Sequence, residues 1–123
     1  MATKILIADD EPNIVISLEF LLKREGYEVV VAHDGAQALE RIRSERPDMA
    51  ILDVMMPHRN GFEVCQDLRQ DPEFKDLRIM MLTAKGRDTE VSKGLALGAD
   101  VYMTKPFSTR DLIAKVKALI DRA

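Results

Sequence analysis

Five residues of this chain have side chains suited to holding a hard cation and an anion together: Asp9, Asp10, Asp53, the Thr83 hydroxyl and the Lys105 ammonium. Three carboxylates with one lysine are under-neutralised, because two like charges about 4 Å apart repel by about 4 kcal/mol at an effective dielectric near 20. Either one carboxyl is protonated or a cation sits among them. Oxygen-only ligands at low count suit Mg²⁺, with Mn²⁺ as the alternative. A metal with open water positions and a nearby lysine forms a clamp for a phosphoryl group. A carboxylate between them can act as nucleophile and form an acyl phosphate. His33, His58 and Cys65 lack metal-ligand spacing, so the chemistry is not that of zinc.

These residues can cooperate only if the fold gathers them, and the elements between them show how. Short apolar runs recur at Lys4–Ala8, Glu28–Ala32, Met49–Val54, Arg78–Thr83 and Val101–Lys105. Val29, Val30 and Val31 in succession predict a strand buried on both faces. Helical spacing fills the gaps. Pro12 opens a first helix with Ile14, Leu18, Leu21 and Leu22 on one face, and Gly26 stops it. Asp34 with Gln37 reads as a capping box for a second, ended by Pro47. Val64, Cys65 and Leu68 mark a third after Gly61, broken at Asp71–Pro72. Val91, Leu95 and Leu97 mark a fourth closed by Gly98; Ser108 with Asp111 caps a fifth that buries Leu112, Val116, Leu119 and Ile120.

Strand and helix thus alternate along the whole chain, which predicts a doubly wound α/β fold: five parallel strands with five helices on both faces. Asp9 and Asp10 follow the first strand, while Asp53, Thr83 and Lys105 end the third, fourth and fifth. The C-terminal strand ends share one edge, where ligands bind at the topological switch point. With a strand order of 2-1-3-4-5, the first and third strands flank that point and the three carboxylates converge.

Bulk composition narrows the function classes. A chain of 123 residues is the size of one domain, expected to span 1–123 with nothing left for an effector domain. A net charge of −3 offers no footprint for nucleic acid, so no direct nucleic-acid partner is expected. Cys65 is the single cysteine, which excludes an internal disulfide and favours a reducing compartment. The apolar start stops at Asp9, too short for a signal peptide, and no stretch approaches a membrane span. The expected location is therefore the cytoplasm, with no membrane partner.

Taken singly, each site residue has an ordinary explanation. Asp-Asp-Glu-Pro starts a helix whose dipole favours acid, Asp53 could serve a turn, Thr83 a strand end, and Lys105 a solvated position before proline. Their joint placement on one edge carries the functional reading. In order and spacing, the motifs Ala8-Asp9-Asp10-Glu11-Pro12, Leu52-Asp53-Val54-Met55-Met56-Pro57 with Gly61 after it, Leu82-Thr83-Ala84 and Lys105-Pro106-Phe107 resemble one family. It is the receiver domain of two-component response regulators, of the single-domain, chemotaxis-regulator-like kind and flavodoxin-like in fold. The resemblance runs from about Lys4 to Ala118.

The resemblance implies that Asp53 takes a phosphoryl group from a histidine of a sensor kinase or histidine phosphotransfer protein. Asp10 and Asp53 would bind Mg²⁺ through side chains, with Asp9 close by and Met55 adding its backbone carbonyl. Thr83, the Ala84 N–H and Lys105 would contact the phosphoryl oxygens, and Lys105–Pro106 would be cis. Tyr102 would be the switch aromatic that turns inward as Thr83 moves. The face of the fourth helix, fifth strand and fifth helix, carrying Arg87, Lys93, Lys115 and Lys117, would then control a downstream protein or output domain. Such a protein is not a conventional enzyme; it promotes its own phosphorylation and its own slow dephosphorylation. The rival reading is a metal-dependent aspartyl phosphatase, which usually has an Asp-x-Asp pattern and a cap domain, both missing from this sequence. A flavin module of the same topology would need a Gly- and hydroxyl-rich loop where Asp-Asp-Glu-Pro stands.

Overall fold

Alternate residues along each strand face opposite sides of a sheet, and this chain uses the rule to build two cores. In the computed structural model, which describes residues 3–84 and 98–121, the elements run β1 (Lys4–Ala8), α1 (Pro12–Arg24), β2 (Glu28–Ala32), α2 (Gly35–Glu45), β3 (Met49–Asp53), α3 (Gly61–Arg69), β4 (Arg78–Ala84), β5 (Val101–Lys105) and α4 (Thr109–Asp121). The helix expected around Val91, Leu95 and Leu97 lies outside the described residues, so α4 is the fifth helix of the sequence reading. All pairings are parallel and the order is β2-β1-β3-β4-β5, as expected.

Leu6, Ala8, Ala50, Leu52, Ile79 and Met81 bury one face against α2 and α3, through Ala38, Leu39, Ile42, Phe62, Cys65 and Leu68. Ile5, Ile7, Met49, Ile51, Met80 and Leu82 bury the other against α1 and α4, through Leu18, Leu22, Leu112, Val116 and Leu119. A run such as Ile-Leu-Ile therefore looks uniformly apolar because both faces are covered.

The expectation for β2 needs correction. Val29, Val30 and Val31 are only half-buried because β2 is an edge strand. Their β-branched run reported strand propensity, not depth. The second helix also differs in detail. Asp34 accepts from the Gln37 N–H at 2.7 Å, but the Gln37 side chain accepts from His33 rather than Asp34, so the reciprocal box closes one residue early. A complete capping box instead opens α3, between Asn60 and Glu63.

One side chain ties down the opposite edge of the sheet. Arg69, the last residue of α3, donates to the carbonyls of Leu77 at 2.6 Å, Gly98 at 2.8 Å and Lys75 at 3.0 Å, and pairs with Asp100 at 3.1 Å. Asp100 Oδ2 also accepts from the Ile79 N–H at 2.8 Å. The five donors of a guanidinium suit such a many-sided joint.

Candidate functional site

The strand register determines which side chains meet. Ala8 pairs with Leu52, Asp53 with Leu82, Thr83 with Thr104 and Ala84 with Lys105. The side chains that follow or close these strands gather on one edge. Ligand oxygens of Asp9, Asp10 and Asp53 lie within 4.8 Å of one another. Asp9 and Thr83 are fully buried, Asp53 is 4% exposed and Asp10 faces solvent.

Lys105 reaches into this cluster with a side chain only 15% exposed. Its Nζ lies 2.9 Å from Glu11, 3.1 Å from Asp9 Oδ2 and 3.3 Å from Asp53 Oδ1. Asp9 Oδ1 accepts from the Glu11 N–H at 2.9 Å, whereas Oδ2 is buried without a directed hydrogen bond. Its approach to Lys105 is thus a contact of charges rather than an aligned bond.

These surroundings govern protonation. Burial, then the Asp9 charge, raises the Asp53 carboxyl from 3.8 to about 7, against the opposing pull of Lys105. Burial pulls the Lys105 ammonium the other way, but its contacts with Glu11, Asp9 and Asp53 outweigh that and hold it above the ordinary lysine range. One cation therefore does not neutralise the cluster, and ionising Asp53 carries a cost.

The loop after Asp53 is fixed by close backbone approach. The Gly61 N–H donates to the Val54 carbonyl at 3.0 Å, and the Val54 N–H to the Leu82 carbonyl at 2.9 Å. A Cβ on Gly61 would stand 2.4 Å from the Asp53 carbonyl oxygen and 2.9 Å from the Met81 methyl. Gly61 is there because a side chain would displace the backbone of Asp53 itself. The loop also rests on the start of α2, where a Cβ on Gly35 would collide with the Arg59 carbonyl at 1.9 Å. His58 lies 4.0 Å from Asp34, a carboxylate partner that their sequence separation hid.

The remaining expected residues are placed as follows. Met55 is 62% exposed at the rim and Ala84 ends β4 beside Lys105 in register. Tyr102 is half-buried against the core that holds Met81 and Ala99, and its hydroxyl oxygen is inaccessible to solvent. Lys105–Pro106 is cis. Cys65 is fully buried and burial raises its thiol, in keeping with a packing role. Arg87 and Lys93 lie outside the described residues. Glu11 and Arg69 received no role from the sequence. For Glu11 the only available signal was a long carboxylate where a short capping side chain is usual; for Arg69 there was none.

The donor set fits a hard cation: three carboxylates, oxygen ligands only, and a buried Asp9 oxygen lacking a directed partner. Comparison with known proteins covers nearly the whole chain. A family model described as the response regulator receiver domain matches residues 5–117. A response regulator from Chloroflexus aurantiacus J-10-fl is 38% identical, with TM-score 0.96, over 99% of this chain and 100% of its own. The signal receiver domain of a histidine kinase from Syntrophus aciditrophicus is 31% identical, with TM-score 0.91, over 99% and 95%. The chemotaxis response regulator CheY4 of Vibrio cholerae is 33% identical, with TM-score 0.90, over 97% and 99%. With its parallel sheet, its edge of converging carboxylates and a match over nearly its whole length, this chain belongs to the response regulator receiver domain family of two-component signalling systems.

Proposed function

We propose that the protein is a phosphorylation-dependent signalling switch in which Asp53 accepts a phosphoryl group from a phosphohistidine of a sensor kinase or phosphotransfer protein. The observation that carries this reading is the Asp53 carboxylate itself: 4% exposed, 3.3 Å from Lys105 and within 4.8 Å of two further carboxylates. An Asp53 oxygen attacks phosphorus, the new O–P bond forms as the N–P bond to the donor imidazole breaks, and the imidazole leaves. Lys105 neutralises charge on the equatorial oxygens, while the Thr83 hydroxyl and the Ala84 N–H take up the remaining oxygens. Asp9, Asp10, Asp53 and the Met55 carbonyl would hold Mg²⁺, or Mn²⁺, which when bound offsets the negative charge on both reactants.

Lys105 stands between the resting carboxylates and the incoming oxygens, so its contacts must rearrange on phosphorylation. Thr83 and Tyr102 stand two residues apart in strand register, Thr83 beside Thr104 and Tyr102 beside Met81. That proximity supports the reading in which Thr83 and Tyr102 pass the change to the surface of β5 and α4. That surface would control a downstream protein or output domain, in the cytoplasm where such phosphodonors act. Incubation with acetyl phosphate and Mg²⁺ should add one phosphate to the wild type and none to Asp53→Asn, read by intact mass. Equal labelling of the two proteins would remove Asp53 as the acceptor.

A further inference from the structure

Lys105 is the only ammonium at the acidic edge among the described residues, yet its shortest contact is not with the acceptor. Glu11 lies at 2.9 Å, Asp9 at 3.1 Å and Asp53 at 3.3 Å. An ammonium has three donors, and here three carboxylates surround it. A phosphoryl oxygen that needs Lys105 must displace one of them. Asp9 is fully buried and Asp53 nearly so, whereas the Glu11 side chain is 58% exposed. Glu11 is the partner that can leave into water.

Glu11 is also out of place as a local structural residue. It occupies the N-cap of α1, where Ser, Thr, Asp or Asn normally turns back to the first N–H groups. Its side chain makes no cap hydrogen bond and instead crosses 94 positions of sequence to Lys105. Its backbone is held extended at φ −92° and ψ 110° by the following Pro12 and by the Asp9 Oδ1 bond to its N–H at 2.9 Å. A fixed backbone with a solvent-facing carboxylate is a tether with a movable anion at its end. Local rules are broken chiefly where function requires it.

We infer that Glu11 is a positioning residue: a displaceable stand-in anion that holds Lys105 at rest and competes with the phosphodonor for it. The inference rests on the phosphotransfer reading of Asp53 and adds to it what sets the apparent affinity for the donor. Removing the contact frees Lys105 and takes a negative charge off the approach path. Donor binding tightens while the transfer step, made by other residues, stays the same.

Two variants separate contact from charge. Glu11→Gln removes the charge. Glu11→Asp keeps it but shortens the arm by about 1.5 Å and favours capping of α1, so the carboxylate turns from Lys105 while the helix start is secured. The initial phosphorylation rate is measured against acetyl phosphate concentration at saturating Mg²⁺. In both variants the half-saturating concentration should fall about two- to fivefold, the range of an exposed ion pair, with the maximal rate within about twofold of wild type. The ¹⁵N resonance of the Lys105 ammonium should move in both variants without donor or metal, and inorganic phosphate should perturb it at lower concentration than in wild type. Wild-type constants in both variants overturn the inference. So does a change confined to Glu11→Gln, which would mean charge at a distance, or weaker Mg²⁺ binding as the sole effect, which would mean support of the metal. Absence of labelling in wild type counts against the Asp53 reading alone, because the phosphate titration still decides the role of Glu11.

Discussion

Asp53 should destabilise the metal-free protein, and replacing it should show by how much. The folded carboxyl is raised by burial and by Asp9 to about 7, from an ordinary value of 3.8. Between those values the native state binds a proton that the unfolded chain has released, so stability falls as pH rises through this window. Below about pH 3.8 the residue is neutral in both states and costs nothing; above about pH 7 the full cost applies. At 1.36 kcal/mol per pH unit, the span sets a ceiling of about 4 kcal/mol at pH 8 and about 1.6 kcal/mol at pH 5. Relaxation and water entry around an edge site soften such penalties, so about half the ceiling is expected.

The test is urea denaturation of wild type and Asp53→Asn in EDTA. The variant should be more stable by about 2 kcal/mol at pH 8, and the gap should shrink to about 1 kcal/mol or less at pH 5. Mg²⁺ at 100 times its dissociation constant stabilises the wild type by about 2.7 kcal/mol, so the order should close or reverse. A variant no more stable than wild type at pH 8 in EDTA, or a gap that widens as pH falls, would refute the account of a charge held at a cost.

Lys105→Met leaves the buried carboxylates without their cation and should cost about 3 kcal/mol at pH 8. The cost should be smaller at pH 5, where Asp53 takes up a proton, and equal urea midpoint shifts at both pH values would count against it. Gly61→Ala sets a Cβ against the Asp53 carbonyl and the Met81 methyl. It should cost about 2–4 kcal/mol in urea and slow acetyl phosphate labelling, and a neutral effect on both would show that the loop yields freely. Arg69→Ala removes a guanidinium that holds the carbonyls of Leu77, Gly98, Lys75 and Phe74 along with Asp100, and should lower stability by about 2–4 kcal/mol. A loss under about 1 kcal/mol would mean that water replaces the joint.

Where the signal was periodic, the fold was legible in the sequence. Each strand stood out as an apolar run, and alternation with helices specified parallel pairing because a parallel crossover needs an intervening element. The carboxylates were legible because a strand end is a fixed address: Asp9, Asp53, Thr83 and Lys105 each close or follow a run, so the topology alone brings them to one edge. Depth was not legible in the same way. Val29–Val31 looked like a central strand, since propensity is blind to whether a neighbour strand follows on the outer side. Contacts made by long side chains were hidden too, because Glu11 reaches Lys105 across 94 positions and Arg69 reaches Asp100 across 31. Such pairings depend on where helices come to rest, which no local pattern encodes. The Asn60–Glu63 capping box, by contrast, was present in plain spacing.

The central claim is that one carboxylate, Asp53, becomes an acyl phosphate. Borohydride reduction of the protein after acetyl phosphate and Mg²⁺ treatment converts an aspartyl phosphate to homoserine, and peptide mass spectrometry then places it. Homoserine at position 53, dependent on Mg²⁺ and lost in Lys105→Met at the same donor concentration, is the predicted result. Homoserine at position 9 or 10, or none anywhere in the chain, would contradict the account.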